Sequence, residues 1–354
     1  MTITQSPYGS LCGKSIVKFV LKNANGLEAA VISYGARLVS MTAPDRAGTL
    51  ADVVLGFDTL DDYVRSDTYF GATCGRYGNR ITGGRFLVAG EEIQVTANEG
   101  PNHLHGGHKA FDQEVWDAHA NEAENSVTFT LVSNDGQEGF PGNLILTVKY
   151  TLTDDDRLTI TMTGVTDKAT VLNMVNHSYW NMAGHAGGDL KNQLLQVEAD
   201  FYTPVDDELL ATGEIRTVIG TPFDFRQEKT LGEDRDQIVN AGSGRRTEDG
   251  SGYDHNWVLR GFGPGLRPVA TLRDPTSGRA MRLSSSEPGV QIYAGGYLNP
   301  KIVGKGGHPY EKYSGVAFET QKYPCSPNYA HFPSTSLQPG EIYRHDMEVR
   351  FFVE

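Results

Sequence analysis

The strongest constraint on the fold is an alternation of apolar and polar residues that recurs along the chain. In residues 147–163, apolar side chains take every second position on both sides of an Asp-Asp-Asp turn. This period of two puts one set of side chains on each face of a strand, so the segment predicts a hairpin with one wet and one dry face. The same pattern predicts a strand at residues 126–133, a hairpin at 269–285 and a final strand at 347–354.

Helical signals are few. Residues 58–66 and 229–242 are each compatible with a few helical turns, and neither has a long apolar stripe. The 41 glycines and 16 prolines are spread along the chain, which predicts many short strands joined by turns. No repeat, linker or low-complexity segment divides the chain. We therefore expect residues 1–354 to form a single all-β domain, a large antiparallel sandwich or barrel.

Charge narrows the classes of partner. Lys and Arg number 31 against 44 Asp and Glu, which gives a formal net charge of −13. A surface this acidic repels phosphate backbones and anionic lipids, so nucleic acid and membrane surfaces are disfavoured as partners. A phosphorylated substrate is disfavoured more weakly, because a local basic pocket can override the net charge. A neutral small molecule fits best.

Three features predict a cytoplasmic location. No run approaches the roughly 18 apolar residues that a membrane-spanning helix needs. The first ten residues have neither a basic start nor an apolar stretch, so they do not resemble a signal peptide. The three cysteines, Cys12, Cys74 and Cys325, lie far apart and form no CxxC pair, which fits a reducing compartment.

A cluster of histidines lies in residues 98–108, and it contains His103, His105 and His108. His103 and His105 would share one side of a strand, a spacing found in metal sites, and His108 or Glu114 would supply a further ligand. The two glycines after His105 break any strand at once. From this segment alone, a polar loop is the better interpretation than a metal site.

Arg80 and His177 are candidates for substrate binding and proton transfer. Arg80 lies in a glycine-rich segment, residues 75–86, whose glycines permit tight backbone turns, so that an arginine there can point inward and hold a substrate. For Arg76 and Arg85, the better interpretation is that their side chains are exposed. His177 is flanked by amide and aromatic side chains, and such a histidine can donate a proton near neutral pH. The alternative for His177 is a core histidine held by hydrogen bonds.

Two carboxylates complete the candidates. Asp254 lies where a Gly- and Ser-rich loop, residues 241–252, meets a strand, and it would accept hydroxyl groups or simply close a turn. Glu319 lies in a strand-like run with Val316, Ala317 and Phe318, where desolvation would raise its pKa as a general base requires. A solvent-facing glutamate on an edge strand is the alternative. The chain has no GxSxG elbow, Walker A loop, GxGxxG fingerprint or CxxC, which leaves the residue types of proton transfer on a polyhydroxylated substrate.

Six short motifs together resemble the aldose 1-epimerase (galactose mutarotase) family. In the family's order, they are NRI (79–81), NHLHGG (102–107), NHSYWN (176–181), DH (254–255), PGVQIY (288–293) and ETQ (319–321). Each motif is weak alone, but their joint order and spacing are specific. The resemblance covers nearly the whole chain.

The resemblance implies a fold, a reaction and a set of roles. The fold is a large antiparallel β-sandwich of the galactose mutarotase type, a supersandwich with few short helices. The reaction interconverts the α and β anomers of a cyclic aldohexose such as glucose or galactose, without a metal ion or organic cofactor. Glu319 would be the general base and His177 the general acid. The substrate-binding residues would be Asn79, Arg80, His105, Asp254 and Gln291.

Some questions stay open at this point. Trp180 and Met182 stand where the family usually has Phe and Leu, and Glu287 stands where Gln is common, so we expect these residues to alter the pocket wall. A hexose-6-phosphate 1-epimerase would need a basic cluster at the pocket, and a non-catalytic carbohydrate-binding protein would need no acid and base pair. A metal-dependent enzyme would use His103 and His105. The sequence leaves the oligomeric state open between monomer and homodimer.

Overall fold

The computed structural model of the chain describes residues 2–238, 252–261, 263 and 265–354. In chain order the strands are β1 (Thr2–Leu11), β2 (Lys14–Lys22), β3 (Glu28–Ile32), β4 (Arg37–Pro44), β5 (Leu50–Asp52), β6 (Ala72–Cys74), β7 (Arg80–Ile81), β8 (Arg85–Val88), β9 (Glu91–Gln94), β10 (His103–Leu104), β11 (Asp117–Asn121), β12 (Ser126–Ser133), β13 (Leu144–Leu152), β14 (Arg157–Thr166), β15 (Thr170–Val171), β16 (Val175–His177), β17 (Tyr179–Trp180), β18 (Leu194–Val197), β19 (Ala199–Thr203), β20 (Arg216–Thr217), β21 (Lys229–Thr230), β22 (Asp254–Leu259), β23 (Arg267–Arg273), β24 (Arg279–Ser285), β25 (Gly289–Tyr293), β26 (Val316–Gln321), β27 (Ser336–Leu337) and β28 (Tyr343–Val353).

Helical structure is confined to short turns in the described residues. The α-helix is α1 (Leu60–Arg65), and Thr59 caps it by accepting a hydrogen bond from the backbone N–H of Asp62. The 3₁₀ turns are Thr82–Gly84, Phe111–Gln113, Glu122–Glu124, Gln137–Gly139, Leu190–Asn192, Arg235–Gln237, Lys305–Gly307 and Ser326–Asn328. No helix in these parts of the chain is long and apolar enough to cross a bilayer.

The strand predictions are confirmed. Residues 147–163 form the hairpin of β13 and β14, in which Val148 faces Met162 and Tyr150 faces Ile160. Strand β12 has the predicted bounds, β23 and β24 form the second hairpin, and the final strand begins four residues earlier than expected. Of the two helical segments, residues 58–66 contain α1. Residues 229–238 contain only a strand and one 3₁₀ turn, and residues 239–242 lie outside the described residues.

The strands form three main antiparallel sheets. The largest has nine strands in the order β11-β12-β13-β14-β28-β24-β23-β18-β21, the next has six in the order β17-β26-β25-β22-β19-β20, and β1 to β5 form a sheet of five. Four two-stranded ladders join β7 with β10, β8 with β9, β6 with β16 and β15 with β27. The fold is thus an antiparallel β-sandwich, as the resemblance implied, rather than a barrel.

One apolar cluster joins the nine-stranded and six-stranded sheets. The inward side chains of β13, such as Val148 and Tyr150, and those of β25, Val290 and Ile292, belong to the same buried cluster. Fully burying an aliphatic side chain of this size stabilises the fold by about 1.5–3 kcal/mol. Because side chains alternate along β25 and β26, the residues between these core positions face the opposite side of the six-stranded sheet. That opposite face carries the candidate site.

Candidate active site

A cleft of about 370 Å³ lies on the outer face of the six-stranded sheet. Its lining includes six of the residues predicted from the sequence, namely Asn79, Arg80, His105, His177, Asp254 and Glu319. Four aromatic side chains share the lining, namely Tyr69, Tyr179, Tyr293 and Tyr297. Residues as far apart in the chain as Tyr69 and Glu319 therefore converge on one concave surface that combines titratable groups with aromatic faces.

Strand alternation decides where Glu319 points. On β26, Val316 and Phe318 pack into the main core, so Glu319 shares the opposite face with Ala317 and Gln321. Glu319 is only 2% exposed, because the segments that form the cleft wall cover this face of the sheet. The carboxylate is therefore buried at the cleft floor, and the alternative of a solvent-facing edge glutamate is wrong.

His177 ends the short strand β16 and is held between aromatic rings. The ring of Tyr69 stacks on it with centroids 5.7 Å apart, and the ring of Tyr179 lies 5.0 Å away. The imidazole of His105 meets it edge-on at 5.2 Å. These contacts restrict the orientation of a side chain that is itself 3% exposed. His177 therefore faces the cleft in a fixed orientation.

His177 and Glu319 are direct neighbours across the cleft floor. Nε2 of His177 lies 3.4 Å from Oε1 of Glu319. Burial, and then the negative charge of Asp254, raise the pKa of Glu319 well above its ordinary range, although Arg80 partly opposes the shift. Burial is also the main cause that lowers the pKa of His177 to about 4. Between those two pKa values the pair holds one proton, as a coupled acid and base must do to exchange protons with a substrate.

Arg80 enters the cleft as half of a buried ion pair. Its Nε and Nη2 donate to the two carboxylate oxygens of Glu99, at 2.6 Å and 3.0 Å. This bidentate geometry fixes the plane of the guanidinium. Burial disfavours the charge on Arg80, but Glu99 and then Asp254 raise the pKa of the guanidinium and keep it charged.

Asn79 and His105 bond to each other through both backbone and ring. The backbone N–H of Asn79 donates to Nδ1 of His105 at 3.1 Å, and the N–H of His105 donates to the carbonyl of Asn79 at 3.2 Å. Both residues have positive φ, 66° and 51°, and they lie next to the short paired strands β7 and β10. An Nδ1 that accepts a hydrogen bond leaves the ring proton on Nε2. His105 therefore offers the cleft a hydrogen-bond donor.

The other two histidines of residues 98–108 have different surroundings. His103 is fully buried, donates from Nδ1 to the carbonyl of Thr96 at 2.7 Å, and accepts at Nε2 from the N–H of Gly106 at 3.1 Å. Both of its nitrogens are thus used to hold the loop. His108 is exposed and does not line the cleft. The metal site predicted as an alternative from His103 and His105 is therefore wrong, since His103 has no nitrogen left to bind an ion.

One group in the described residues has spacing compatible with a metal ion. Ligand atoms of His105, His177 and Glu319 lie within 4.8 Å of one another. A metal would need the Nε2 lone pair of His105, which requires the proton to move to Nδ1 and the bond from Asn79 to break. The hydrogen-bond pattern of His105 thus fits a substrate ligand better than a metal ligand.

Asp254 and Gln291 are diagonal neighbours on the paired strands β22 and β25. Nε2 of Gln291 donates to Oδ1 of Asp254 at 2.7 Å. Asp254 lines the cleft, whereas Gln291, 2% exposed, lies behind it and is not among the lining residues. The loop that was expected to precede Asp254, residues 241–252, lies outside the described residues up to position 251.

Several expectations for neighbouring residues are wrong. Arg76 was expected to be exposed, but it is buried, with 2% of its surface accessible. It donates hydrogen bonds to the carbonyls of Ser133, Asn134 and Pro141, so it holds a loop. Trp180 and Met182 belong to the main core cluster rather than to the wall of the cleft. Glu287 is also buried away from the cleft, in an ion pair with Lys322. Arg85 is exposed, as expected.

Two residues of the site were missed by sequence reasoning. Tyr69 packs on both His105 and His177, and Glu99 holds Arg80. Glu99 lies inside residues 98–108, the segment that contains the three histidines. Its partner, Arg80, is 19 positions away, and no local pattern indicates the pair. Tyr69 lies just before β6, and β6 pairs with β16, the strand that ends at His177. Only this pairing brings Tyr69 next to His177.

The chain matches a family model described as "Aldose 1-epimerase" over residues 17–350. It is 38% identical over 355 residues to a galactose mutarotase of Bos taurus, covering 100% of this chain and 99% of that one. It is 34% identical over 354 residues to an aldose 1-epimerase of Escherichia coli K12, covering 99% and 100% of the two chains.

Solved structures of aldose and galactose epimerases are similar to this chain as well. An aldose epimerase homologue from C. elegans superposes with a TM-score of 0.85 at 33% identity, covering 94% of this chain and 98% of that one. A galactose 1-epimerase from Lactobacillus acidophilus superposes with a TM-score of 0.85 at 29% identity, covering 99% of both chains. These similarities extend over nearly the whole chain.

Proposed function

The chain belongs to the aldose 1-epimerase family and is a mutarotase, and on that premise we propose that Glu319 is its catalytic base and His177 its catalytic acid. The supporting observation is the pair itself. Nε2 and Oε1 of these two residues lie 3.4 Å apart at the floor of the cleft, so one sugar ring can contact both. Acid and base groups placed in this way each contribute about 10²–10⁴-fold to a proton transfer.

The first half of the reaction opens the ring. In the reactive form of the pair, the shared proton has moved from Glu319 to His177, which lies 3.4 Å away. The Glu319 carboxylate then takes the proton of the C1 hydroxyl, and the imidazolium of His177 gives its proton to the ring oxygen as the bond between C1 and that oxygen breaks. The product is the open-chain aldehyde with a free C5 hydroxyl. The pair starts with one proton and ends with one proton, so no group outside it has to supply or remove a proton.

The second half closes the ring on the other face of the aldehyde. Rotation about the C1–C2 bond presents the opposite face of the carbonyl to the C5 hydroxyl. The neutral His177 then removes the hydroxyl proton while its oxygen attacks C1, and the Glu319 carboxylic acid protonates the former carbonyl oxygen. The pair returns to its initial state, which is why one acid and one base suffice in both directions.

The surrounding polar residues would hold the sugar. Arg80 and the Nε2–H of His105 supply hydrogen-bond donors beside the reacting pair, and the Asp254 carboxylate supplies an acceptor for sugar hydroxyls. Gln291 would act through Asp254, since it donates to that carboxylate. Asn79 would act through His105, whose tautomer it fixes. The tyrosine rings that line the cleft suit the apolar face of a pyranose.

We infer that the substrate is an unphosphorylated aldohexose such as galactose or glucose. Several similar proteins are named galactose mutarotase, and the charge of the cleft agrees with a neutral sugar. Among the described lining residues, Arg80 is the sole Lys or Arg, and Glu99 already neutralises it. A hexose-6-phosphate 1-epimerase would need a further cation for its phosphate.

Polarimetry tests this function and its alternatives. Freshly dissolved α-D-galactose and α-D-glucose should reach anomeric equilibrium faster with the protein, and α-D-glucose 6-phosphate should compete poorly for the site. Preference for the phosphorylated sugar would favour the phosphate epimerase instead. Sugar binding by calorimetry without any acceleration would favour a carbohydrate-binding protein, which needs no carboxylate–imidazole pair.

We further propose that residues 1–354 act as one domain, as a monomer or homodimer in the cytoplasm. The family match over residues 17–350 and the apolar cluster shared by the two larger sheets support one domain. The cysteines Cys12, Cys74 and Cys325 are all free, which suits a reducing compartment. Sedimentation velocity over a range of protein concentrations would separate monomer from dimer.

A further inference from the structure

The strands that carry His177 and Glu319 share no backbone ladder. Strand β16 pairs with β6, and β26 pairs with β17 and β25; the described strands include no ladder between β16 and β26. On one side of His177, the ladder of β17 with β26 pairs Tyr179 with Ala317, two residues from each catalytic residue. On the other side, where β16 begins, the separation of 3.4 Å between the two catalytic side chains depends on side-chain contacts. A displacement of about 1 Å between reacting groups can cost as much as 100-fold in rate.

His345 links these two strands from behind. It lies on β28 of the nine-stranded sheet, is fully buried, and contacts a different segment of the chain with each ring nitrogen. Nδ1 lies 3.1 Å from the carbonyl oxygen of Met174, just before β16, and Nε2 lies 2.7 Å from Oγ1 of Thr320 on β26. Because a carbonyl only accepts, Nδ1 donates to Met174 and Nε2 accepts from the hydroxyl of Thr320.

The two bonds of His345 lie close to both catalytic residues. Thr320 directly follows Glu319 and points to the other face of β26. A displacement of Thr320 therefore also displaces the backbone that carries Glu319. Met174 comes three residues before His177, and its N–H also donates to the hydroxyl of Tyr343 at 3.0 Å. The backbones of the acid and of the base are thus both tied to β28.

Burial keeps His345 neutral near neutral pH. Burial lowers the pKa of His345, and Lys322 lowers it further, whereas Glu287 and Asp346 act in the opposite direction. A neutral ring has one donor and one acceptor, which are the two functions that its contacts with Met174 and Thr320 require. Ser285 offers a second, longer contact to Nε2 at 3.4 Å.

We propose that His345 is a positioning residue that sets the separation of the acid and the base. It touches no part of the cleft, and its effect passes through Thr320 to Glu319 and through Met174 to His177. The proposal rests on the roles given above to Glu319 and His177. Its specific consequence is that loss of the His345 bonds slows the proton transfers while the residues that hold the sugar stay in place.

The test is T320V, which removes the hydroxyl and keeps the shape of the side chain. T170V is the matched control, because Thr170 is equally buried and its hydroxyl has no partner among the described residues. We expect kcat of T320V to fall about tenfold with KM changed less than about twofold, since misplacement acts on the reacting groups. We also expect the acid and alkaline limbs of its pH profile to move closer together, because a wider pair is coupled more weakly. T170V should match the unmodified protein in all three measurements.

A second pair of variants probes the ring itself. H345Q keeps an amide donor and an amide acceptor, whereas H345F keeps the ring volume and loses both bonds. We expect H345Q to retain a larger fraction of kcat than H345F. We also expect the two variants to have matching melting temperatures. The proposal is overturned if T320V keeps both its kcat and its pH limbs, or if T320V and T170V lose activity to the same extent. E319Q separates this from the function itself, since a fully active E319Q would contradict the role of the base whatever T320V does.

Discussion

The guanidinium of Arg80 and the carboxylate of Glu99 form a bidentate ion pair beneath the cleft, with bonds of 2.6 Å and 3.0 Å. The pair joins the start of the histidine-rich loop to the strand that carries Arg80. It uses two of the guanidinium's three nitrogens, so the orientation of the third toward the cleft is set by Glu99 rather than by the sugar.

Replacing Glu99 by Gln should weaken sugar binding. The amide cannot accept two hydrogen bonds from Arg80, so the guanidinium loses its fixed plane. We expect KM for galactose to rise roughly tenfold with a smaller fall in kcat, because breaking one partner of a buried pair costs several kcal/mol and the sugar recovers only part of it. E92Q is the control, since Glu92 is exposed and away from the cleft. Equal KM values in the two variants would contradict the role of Glu99.

The rings of His105 and His177 share one aromatic neighbour, Tyr69, at centroid distances of 4.8 Å and 5.7 Å. Y69A should lower kcat/KM by about 10–100-fold, because both imidazoles lose the surface that orients them. Y69F keeps the ring and should stay within about threefold of the unmodified protein. Steady-state polarimetry measures both. If Y69F lost as much activity as Y69A, the hydroxyl and not the ring would carry the effect.

The pH profile of kcat/KM should have two limbs that belong to the pair His177 and Glu319. At low pH the pair takes up a second proton and loses its base; burial places the pKa of His177 at about 4, so the acid limb should lie near that value. At high pH the pair loses its shared proton, and since burial and Asp254 raise the pKa of Glu319, the alkaline limb should lie above the ordinary glutamate range. Rates corrected for buffer catalysis measure both limbs. An acid limb near the ordinary pKa of histidine, about 6.5, would not fit.

Stability should change in the opposite direction to activity at Glu319. Its pKa is higher in the folded chain than in the unfolded chain, so folding costs free energy once the unfolded carboxylate is ionised. This cost is absent below the unfolded pKa, grows as the pH rises toward the folded pKa, and disappears in E319Q. We therefore expect E319Q to melt at a higher temperature than the unmodified protein at pH 7, and at nearly the same temperature at pH 4. Calorimetry at both pH values is the check, and a lower melting temperature for E319Q at pH 7 would contradict it.

The sheets could be predicted from the sequence because strand periodicity is local. The hairpin of residues 147–163 and the strand at residues 126–133 appear where the alternation placed them. The same alternation puts Glu319 opposite Phe318, but nothing local says which of the two faces is covered by the rest of the chain. For that reason the strand was predictable and the burial of its carboxylate was not.

The partners of the site residues depend on contacts between distant segments. Residues near His177 in the sequence, such as Trp180 and Met182, were expected at the pocket and lie in the core, because β17 continues into the sandwich. The sequence did not predict the roles of Glu99, Tyr69 and His345. Each contacts its partner through the tertiary structure, and no residue type or spacing in the sequence indicates that contact. The choice of Glu319 and His177 came from the order of six motifs, and their distance could come only from the structure.

The central claim is that Glu319 is the base, and the rate of α-D-galactose mutarotation by E319Q tests it most directly. The amide keeps the size of the side chain but cannot take the C1 proton, so we expect the catalysed rate to fall by about 10²–10⁴-fold while galactose still binds. Polarimetry gives the rate, and calorimetry on the same preparation shows that the cleft is intact. A catalysed rate for E319Q within a few-fold of that of the unmodified protein would contradict the account.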